Sequence, residues 1–463
     1  MPCTPRVSTE LPGPRARAAM VRGQFDMQSI YRAAIVDDGA SLGTTLVDVD
    51  GNAFLDLFAS FALGALGYNH PSMVQTAASP EFVRAAINPT STPFVTTEGW
   101  LDFIHEMETR WAPRGMGKMF CVDGGGEGVE SALKAAFIAH GENRRVGAGG
   151  PRNPLELSAE AQAAWMDNAG TDALLISFSG AFHGRGLGPM SATHSKLIHK
   201  ADLPAFPWPT APFPANRWPR EKYAEDNARA EAESLAAVER LLDANAGKVA
   251  AVLVEPIQSE GGDRHASPAF FQALQKMVSA AGASLVLDEV QTGVGITGTL
   301  WFHEQLNLPT PPDFVCFGKK MQMGGFFATL AKDVRQFGRM YQTRNGDRAR
   351  AMLALTTLRA IADGNLLNHV RETGGAFLQG LQALEARFPT LVSEPRGKGF
   401  LLAFDLPTAA SRDDFLARCM RRGVFASYTG TRSVRLRPHL ITPMEDVNLA
   451  LATFGDVLLE MSG

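Results

Sequence analysis

Short apolar runs with strand character recur along the middle of the chain, at 119–122, 173–178, 249–254, 284–287, 314–317 and 325–330, between stretches of helical periodicity. Strands alternating with helices in this way predict a mainly parallel sheet covered by helices on both faces. From about Ala351 the pattern changes to a long helical segment, a strand at 397–406, a helix at 413–422, a strand at 433–437 and a closing helical stretch at 445–461. That order predicts a small α+β C-terminal domain. Residues 47–52 read as a strand running into an Asp-Gly turn. The expected division is an N-terminal segment over 1–60, a large α/β domain over 61–350 and the small domain over 351–463. The Pro-rich stretch 203–220 reads as a long ordered surface loop, and no internal repeat or low-complexity tract interrupts the pattern.

Ligands of such sheets bind beyond the C-terminal ends of the strands. Charged residues fall there: Glu255 follows 249–254, Asp288 follows 284–287 and Lys320 follows 314–317. A carboxylate ending an apolar run is costly unless it meets a cation or a ligand. An acid and a lysine at the ends of neighbouring strands can hold pyridoxal phosphate (PLP) between them. The acid keeps the pyridine nitrogen protonated and the lysine holds the aldehyde as a Schiff base. Gln291, one short turn beyond Asp288, can reach the ring's phenolic oxygen. Taken singly, Asp288 reads equally as a helix cap or a salt-bridged strand end, and Lys320 as a solvated lysine with Lys319 as its competitor. Lys320 is favoured because it precedes Gly324 and Gly325 closely and follows a strand that should turn it toward Asp288.

Val122 to Lys134 is a glycine-rich turn leading from a strand into a helix, with Gly124, Gly125, Gly126 and Gly128. Backbone N–H groups at a helix start favour a phosphate, and glycine lets it come close. The turn is not a P-loop, and the dinucleotide fingerprint fails because Val129 stands where its third glycine belongs. A PLP phosphate cradle fits it, as does a purely structural turn. Phe182 offers a ring to stack on a cofactor, and Arg185 and Arg435 offer guanidinium forks for carboxylates. His183 reads as a satisfied, non-catalytic imidazole. Glu260 has the charge to pair with one of the arginines.

Composition narrows the chemistry further. The 463 residues are 45% hydrophobic and 20% charged with a formal net charge of −4, which gives no pull toward nucleic acid or an anionic membrane. No apolar run approaches the ~18 to 20 residues of a spanning helix. The four cysteines, Cys3, Cys121, Cys316 and Cys419, have no metal-ligand spacing, so neither a zinc site nor a disulfide framework is expected. The N-terminus has no apolar core of a secretory signal. Small-molecule chemistry is what remains.

These residues together resemble the class III aminotransferases of the fold-type I PLP family, over nearly the whole chain. The resemblance is most specific at 180–185, 192–196, 208–214 and 254–263. It implies the fold-type I architecture and PLP-dependent transamination of an ω-amino acid, first 4-aminobutyrate, with 2-oxoglutarate as acceptor. The alternatives are the ε-amino group of L-lysine, another ω-amine of a biosynthetic pathway or, from a different class, a non-catalytic binding protein on the same fold. It further implies that Lys320 and Asp288 are catalytic. Gly125 and Gly126 would bind the phosphate, Phe182 would stack on the ring and Gln291 would meet its oxygen. Thr343 would reach the phosphate of the neighbouring subunit, making a homodimer with shared sites. Arg185, with Phe61 beside it, would take the ω-amino acid's carboxylate. Arg435 would take the α-carboxylate of 2-oxoglutarate once released from Glu260. Arg344 replaces an aromatic of the family pattern beside Thr343. Animal members carry iron–sulfur cysteines where this chain has Gly124 and Glu127, so no cluster is expected. Val129 is a choice shared with lysine 6-aminotransferases. The family start at Glu10 to Arg15 lies close to Met1, from which a cytoplasmic location is expected.

Overall fold

The six residues Val249–Val254 have no polar side chain and are buried throughout, as suits a strand covered on both faces. They lie inside a mixed sheet. The computed structural model describes residues 4–22, 34–88, 94–343 and 345–463; Cys3 and Arg344 lie outside them. The chain divides into two units, one of Glu81–Val294 and Trp301–Leu355, the other of Met1–Pro80, Gly295–Leu300 and Thr356–Gly463. The first unit contains the strands β1 (Lys118–Val122), β2 (Leu174–Phe178), β3 (Thr210–Ala211), β4 (Val249–Val254), β5 (Ser284–Asp288), β6 (Phe314–Phe317) and β7 (Gly324–Ala328). They form one seven-stranded sheet in the order β1-β7-β6-β5-β4-β2-β3. Neighbours pair in parallel except β7, which runs antiparallel to both β6 and β1.

The helix Gly125–Gly147 covers the centre of the sheet. Its Val129, Ala132, Leu133 and Ala136 pack with Leu175, Leu253, Val286, Phe314 and Phe326 from the strands. Each large side chain buried there contributes about 1.5–3 kcal/mol. The helix approaches β7 closely because both sides lack side chains. A Cβ on Gly128 would fall 2.6 Å from the Gly325 nitrogen, and one on Gly324 would overlap the Gly124 carbonyl.

The second unit carries a four-stranded antiparallel sheet in the order Ser393–Lys398, Leu401–Asp405, Ser433–Leu436, Ser427–Thr429. Helices Leu366–Arg387 and Met444–Met461 pack on it through Phe377, Leu381, Phe454 and Leu458 against Phe404 and Leu436. The single strand expected at 397–406 is corrected to a hairpin. Gly399 takes φ +55° and turns the chain between Ser393–Lys398 and Leu401–Asp405. The loop expected at 203–220 is corrected in one place: Thr210 and Ala211 pair with Ser177 and Phe178 as the edge strand β3.

Near its start the second unit contains an unusual turn. Ala59, Ser60, Phe61 and Ala62 have φ of +43°, +50°, +63° and +64°, four successive non-glycine residues in the left-handed region. Each costs ~1–2 kcal/mol relative to ordinary backbone, so their surroundings must hold them there. Among the described residues no helix is long and apolar enough to cross a membrane.

Candidate active site

β5 and β6 run in parallel with Asp288 level with Cys316, so Asp288 ends its strand at the C-terminal edge of the sheet. The carboxylate is 5% exposed. Its Oδ2 lies 2.8 Å from Nδ1 of His183, and its Oδ1 accepts the Val290 N–H at 3.1 Å. The Nε2 of His183 is buried with no hydrogen-bond partner among the described residues. His183, which sequence reasoning set aside, therefore sits on the very carboxylate it singled out. The two are 105 positions apart in the chain, and no spacing rule joins them.

Lys320 lies in the single turn Lys319–Met321 that follows β6. It is 1% exposed, and its Nζ donates to the Gln291 carbonyl at 2.9 Å. Lys319 takes φ +49° and stays half-buried. The left-handed kinks at Lys319 and Gln322 (φ +62°) bracket Lys320 and turn its chain inward. A buried amine within reach of the Asp288 loop is thus produced by the β6–β7 connection.

The glycine turn opens the helix Gly125–Gly147 after β1. The N–H groups of Gly125 and Gly126 lie in the first helical turn, where no earlier carbonyl of the helix can take them. Gly125 has no room for a side chain: a Cβ would fall 2.5 Å from Val290 Cγ1. The cradle and the Asp288 loop are therefore in direct contact. Glu127 closes the turn by accepting the Gly124 N–H at 3.2 Å.

Phe182 is half-buried, and the Arg185 guanidinium carbon lies 5.8 Å from its ring while Arg185 itself is exposed. The Phe182 N–H donates to Glu255 Oε2 at 2.9 Å, and Ser259 donates to the other oxygen at 3.2 Å. Burial, reinforced by the nearby charge of Asp288, pushes the Glu255 carboxyl well above the usual carboxylate range despite these bonds. Burial likewise raises the Cys316 thiol, with Asp288 adding to it. Glu260 pairs with Lys196 at 3.0 Å. Thr343 is exposed on a turn. In the other unit, the Arg435 guanidinium carbon lies 4.8 Å from the Phe61 ring, and Arg435 is 2% exposed. Sequence reasoning set His183 aside and did not single out Lys196. Both adjoin residues it did choose, and only folding brings them into contact.

His194, in the segment 192–196, has its Nε2 3.0 Å from the Thr210 hydroxyl and 3.2 Å from the Ser177 hydroxyl. Burial, then the charges of Lys200 and His183, depress it to about 4. The fold favours its neutral form, whereas an unfolded chain takes up the proton near the ordinary value of about 6.5. Its stabilising share is complete above that value and is lost as pH falls toward 4. His194→Gln is expected to lose less Tm than the parent between about pH 7 and pH 5. Thermal unfolding at both values checks this, and an equal loss in the two proteins would refute it.

The donor set fits PLP. A buried primary amine, a buried carboxylate backed by an imidazole, and a glycine-lined helix start match an aldehyde, a pyridine nitrogen and a phosphate. Comparison with known proteins agrees. The family model described as Aminotransferase class-III matches residues 31–458. The chain is 38% identical to a 4-aminobutyrate aminotransferase of Dictyostelium discoideum, over 99% of this chain and 92% of that one. It is 36% identical to the mitochondrial 4-aminobutyrate aminotransferase of Mus musculus, over 98% and 91%. The solved lysine aminotransferase of M. tuberculosis in its internal aldimine form superposes with a TM-score of 0.84 at 30% identity, covering 96% of this chain and 99% of that one. With a family match across nearly its whole length and an amine, an acid and a glycine-lined helix start gathered at the edge of its sheet, the chain belongs to the class III aminotransferases, whose cofactor is PLP.

Proposed function

We propose that the chain transfers the amino group of 4-aminobutyrate to 2-oxoglutarate, giving succinate semialdehyde and L-glutamate. The observation that carries the substrate is the near full-length similarity, at 35–38% identity, to proteins named for 4-aminobutyrate. PLP, when bound, supplies a carbonyl to carry the amino group and a ring to receive electrons. The protein's residues do the rest. Lys320 Nζ would hold the cofactor and, when free, could take the proton from the substrate carbon that bears nitrogen. Asp288, bonded to His183 and to the Val290 N–H, would keep positive charge on the ring nitrogen. Gln291, Phe182 and the N–H groups of Gly125 and Gly126 would hold the ring oxygen, the ring and the phosphate.

In the same proposal Arg185 forks the carboxylate of the donor, with Phe61 in the substrate set. Arg435 forks the α-carboxylate of 2-oxoglutarate, and Glu260, bonded to Lys196, completes the set. Thr343 serves the phosphate site of a second copy, which makes the working unit a homodimer. We place the enzyme in the cytoplasm, consistent with the free, buried Cys121, Cys316 and Cys419. The competing donor is L-lysine, favoured by the likeness to the lysine aminotransferase structure.

Donors of similar length are separated by only about 1–3 kcal/mol per pocket group, so the donor must be measured. The visible spectrum of the PLP-loaded protein is followed as 4-aminobutyrate, L-lysine and L-ornithine are added separately without keto acid. Bleaching by 4-aminobutyrate alone is expected. Bleaching by lysine alone would replace the substrate, and a protein that takes up no chromophore would overturn the assignment of Lys320.

A further inference from the structure

Asp56 ends the strand Ala53–Asp56 and is 1% exposed. Its Oδ1 accepts the N–H groups of Phe58 at 2.8 Å and Ala59 at 2.9 Å. Its Oδ2 accepts the Tyr68 hydroxyl at 2.8 Å and faces His439 Nε2 at 3.3 Å. The other ring nitrogen of His439 donates to the Gly64 carbonyl at 2.9 Å. That approach needs glycine, since a Cβ on residue 64 would fall 2.8 Å from His439 Cε1. Burial alone would raise the Asp56 carboxyl, but the facing His439 ring and the bonds from Ala59 and Phe58 outweigh it and hold it below the usual range. Burial and Asp56 together push the Tyr68 phenol well up.

These anchors sit at the two ends of the left-handed turn: Asp56 grips residues 58 and 59, and His439 grips residue 64. Between them Phe61 packs edge-on against Phe58, with ring centres 4.5 Å apart, and meets the Arg435 guanidinium. The segment bearing Arg435 and His439 is tied to the same stretch by backbone bonds from Arg437 to Leu57 (2.7 Å) and from Leu440 to Ala65 (2.8 Å). An arginine lying on an aromatic face is fixed in plane as well as position.

We propose that Asp56, Tyr68 and His439 are positioning residues that set acceptor specificity: they hold Ala59–Ala62 left-handed so that Phe61 fixes the Arg435 guanidinium for the α-carboxylate of a 2-oxo dicarboxylic acid. This rests on the role assigned to Arg435 above.

The test separates the two half-reactions of the PLP-loaded enzyme. In His439→Ala, recharging of the amine form by 2-oxoglutarate is expected to lose roughly 10- to 100-fold in kcat/KM, the scale of a small misplacement of a binding group. The loss should fall mainly on KM and exceed any loss in the 4-aminobutyrate half-reaction, in which Phe61 also takes part. Calorimetric binding of glutarate, a dicarboxylate that cannot be aminated, should weaken in parallel. Adding Ala59→Gly and Ala62→Gly to His439→Ala should recover much of the glutarate affinity, because glycine adopts left-handed backbone freely. Equal losses in both half-reactions, or no rescue by glycine, would overturn the proposal. Arg435→Lys distinguishes the two readings. If it weakens 2-oxoglutarate while His439→Ala does not, the clamp alone fails; if it has no effect, the Arg435 assignment fails and takes the clamp with it.

Discussion

Lys320→Ala is expected to abolish transamination while leaving the fold intact, with turnover lower by on the order of 10⁴-fold, the upper end for a positioned general base. The size follows from placement. The side chain is 1% exposed, its amine lies 2.9 Å from the Gln291 carbonyl, and the neighbouring Lys319 is only half-buried after a backbone kink. Loss of the amine removes one donor from a buried carbonyl, a stability cost of about 1–3 kcal/mol that a protein of this size tolerates. Steady-state assay with 4-aminobutyrate and 2-oxoglutarate measures the loss, and added small primary amines should restore part of it. Lys319→Ala should change turnover by less than about threefold, as a substitution outside the reacting groups does. Undiminished turnover in the Lys320 variant would refute the assignment.

Asp288→Asn is expected to lower turnover by about 10³-fold, the scale for removing one preorganised charge from a dry site. Asparagine can still accept the Val290 N–H and face His183, so geometry is largely kept and the charge is what is lost. Without that charge the ring nitrogen of PLP is no longer held protonated, and the cofactor should dissociate more readily during gel filtration. The variant also relieves Glu255, whose carboxyl Asp288 helps to hold high. A variant that keeps both parental turnover and parental cofactor retention would show that Asp288 has only a structural role.

Six of the seven strands of the main sheet were legible in sequence because each is a largely apolar run. Val249–Val254 and Phe314–Phe317 fall at the expected residues, and the others shift by a residue or two at their ends. The failures share a cause. Thr210–Ala211 is strand only because Ser177 and Phe178 lie beside it, a pairing that two residues in a Pro-rich loop cannot announce. The stretch 397–406 has enough apolar character for one strand, yet Gly399 folds it into a hairpin. The segment beyond Ala351 divides into Arg348–Asp363 and Leu366–Arg387 at Gly364 and Asn365, the latter at φ +48°.

The same division runs through the candidate site. Sequence alone determined which reactive groups the chain carries and where along it: a carboxylate and an amine at the ends of apolar runs, glycines at a strand-to-helix turn, and the arginines Arg185 and Arg435. Each of these is a local property, set by residue type and by the run before it. Only the tertiary structure decided which groups lie together. It placed His183 on Asp288 and Lys196 on Glu260, raised the Glu255 carboxyl by burying it near another charge, and buried Lys320 while leaving Lys319 half-buried. It also held four left-handed residues in place through Asp56 and His439, which lie far apart in the chain. Burial, charge proximity and strain depend on neighbours in space, and residues distant along the chain become neighbours only when the sheets form.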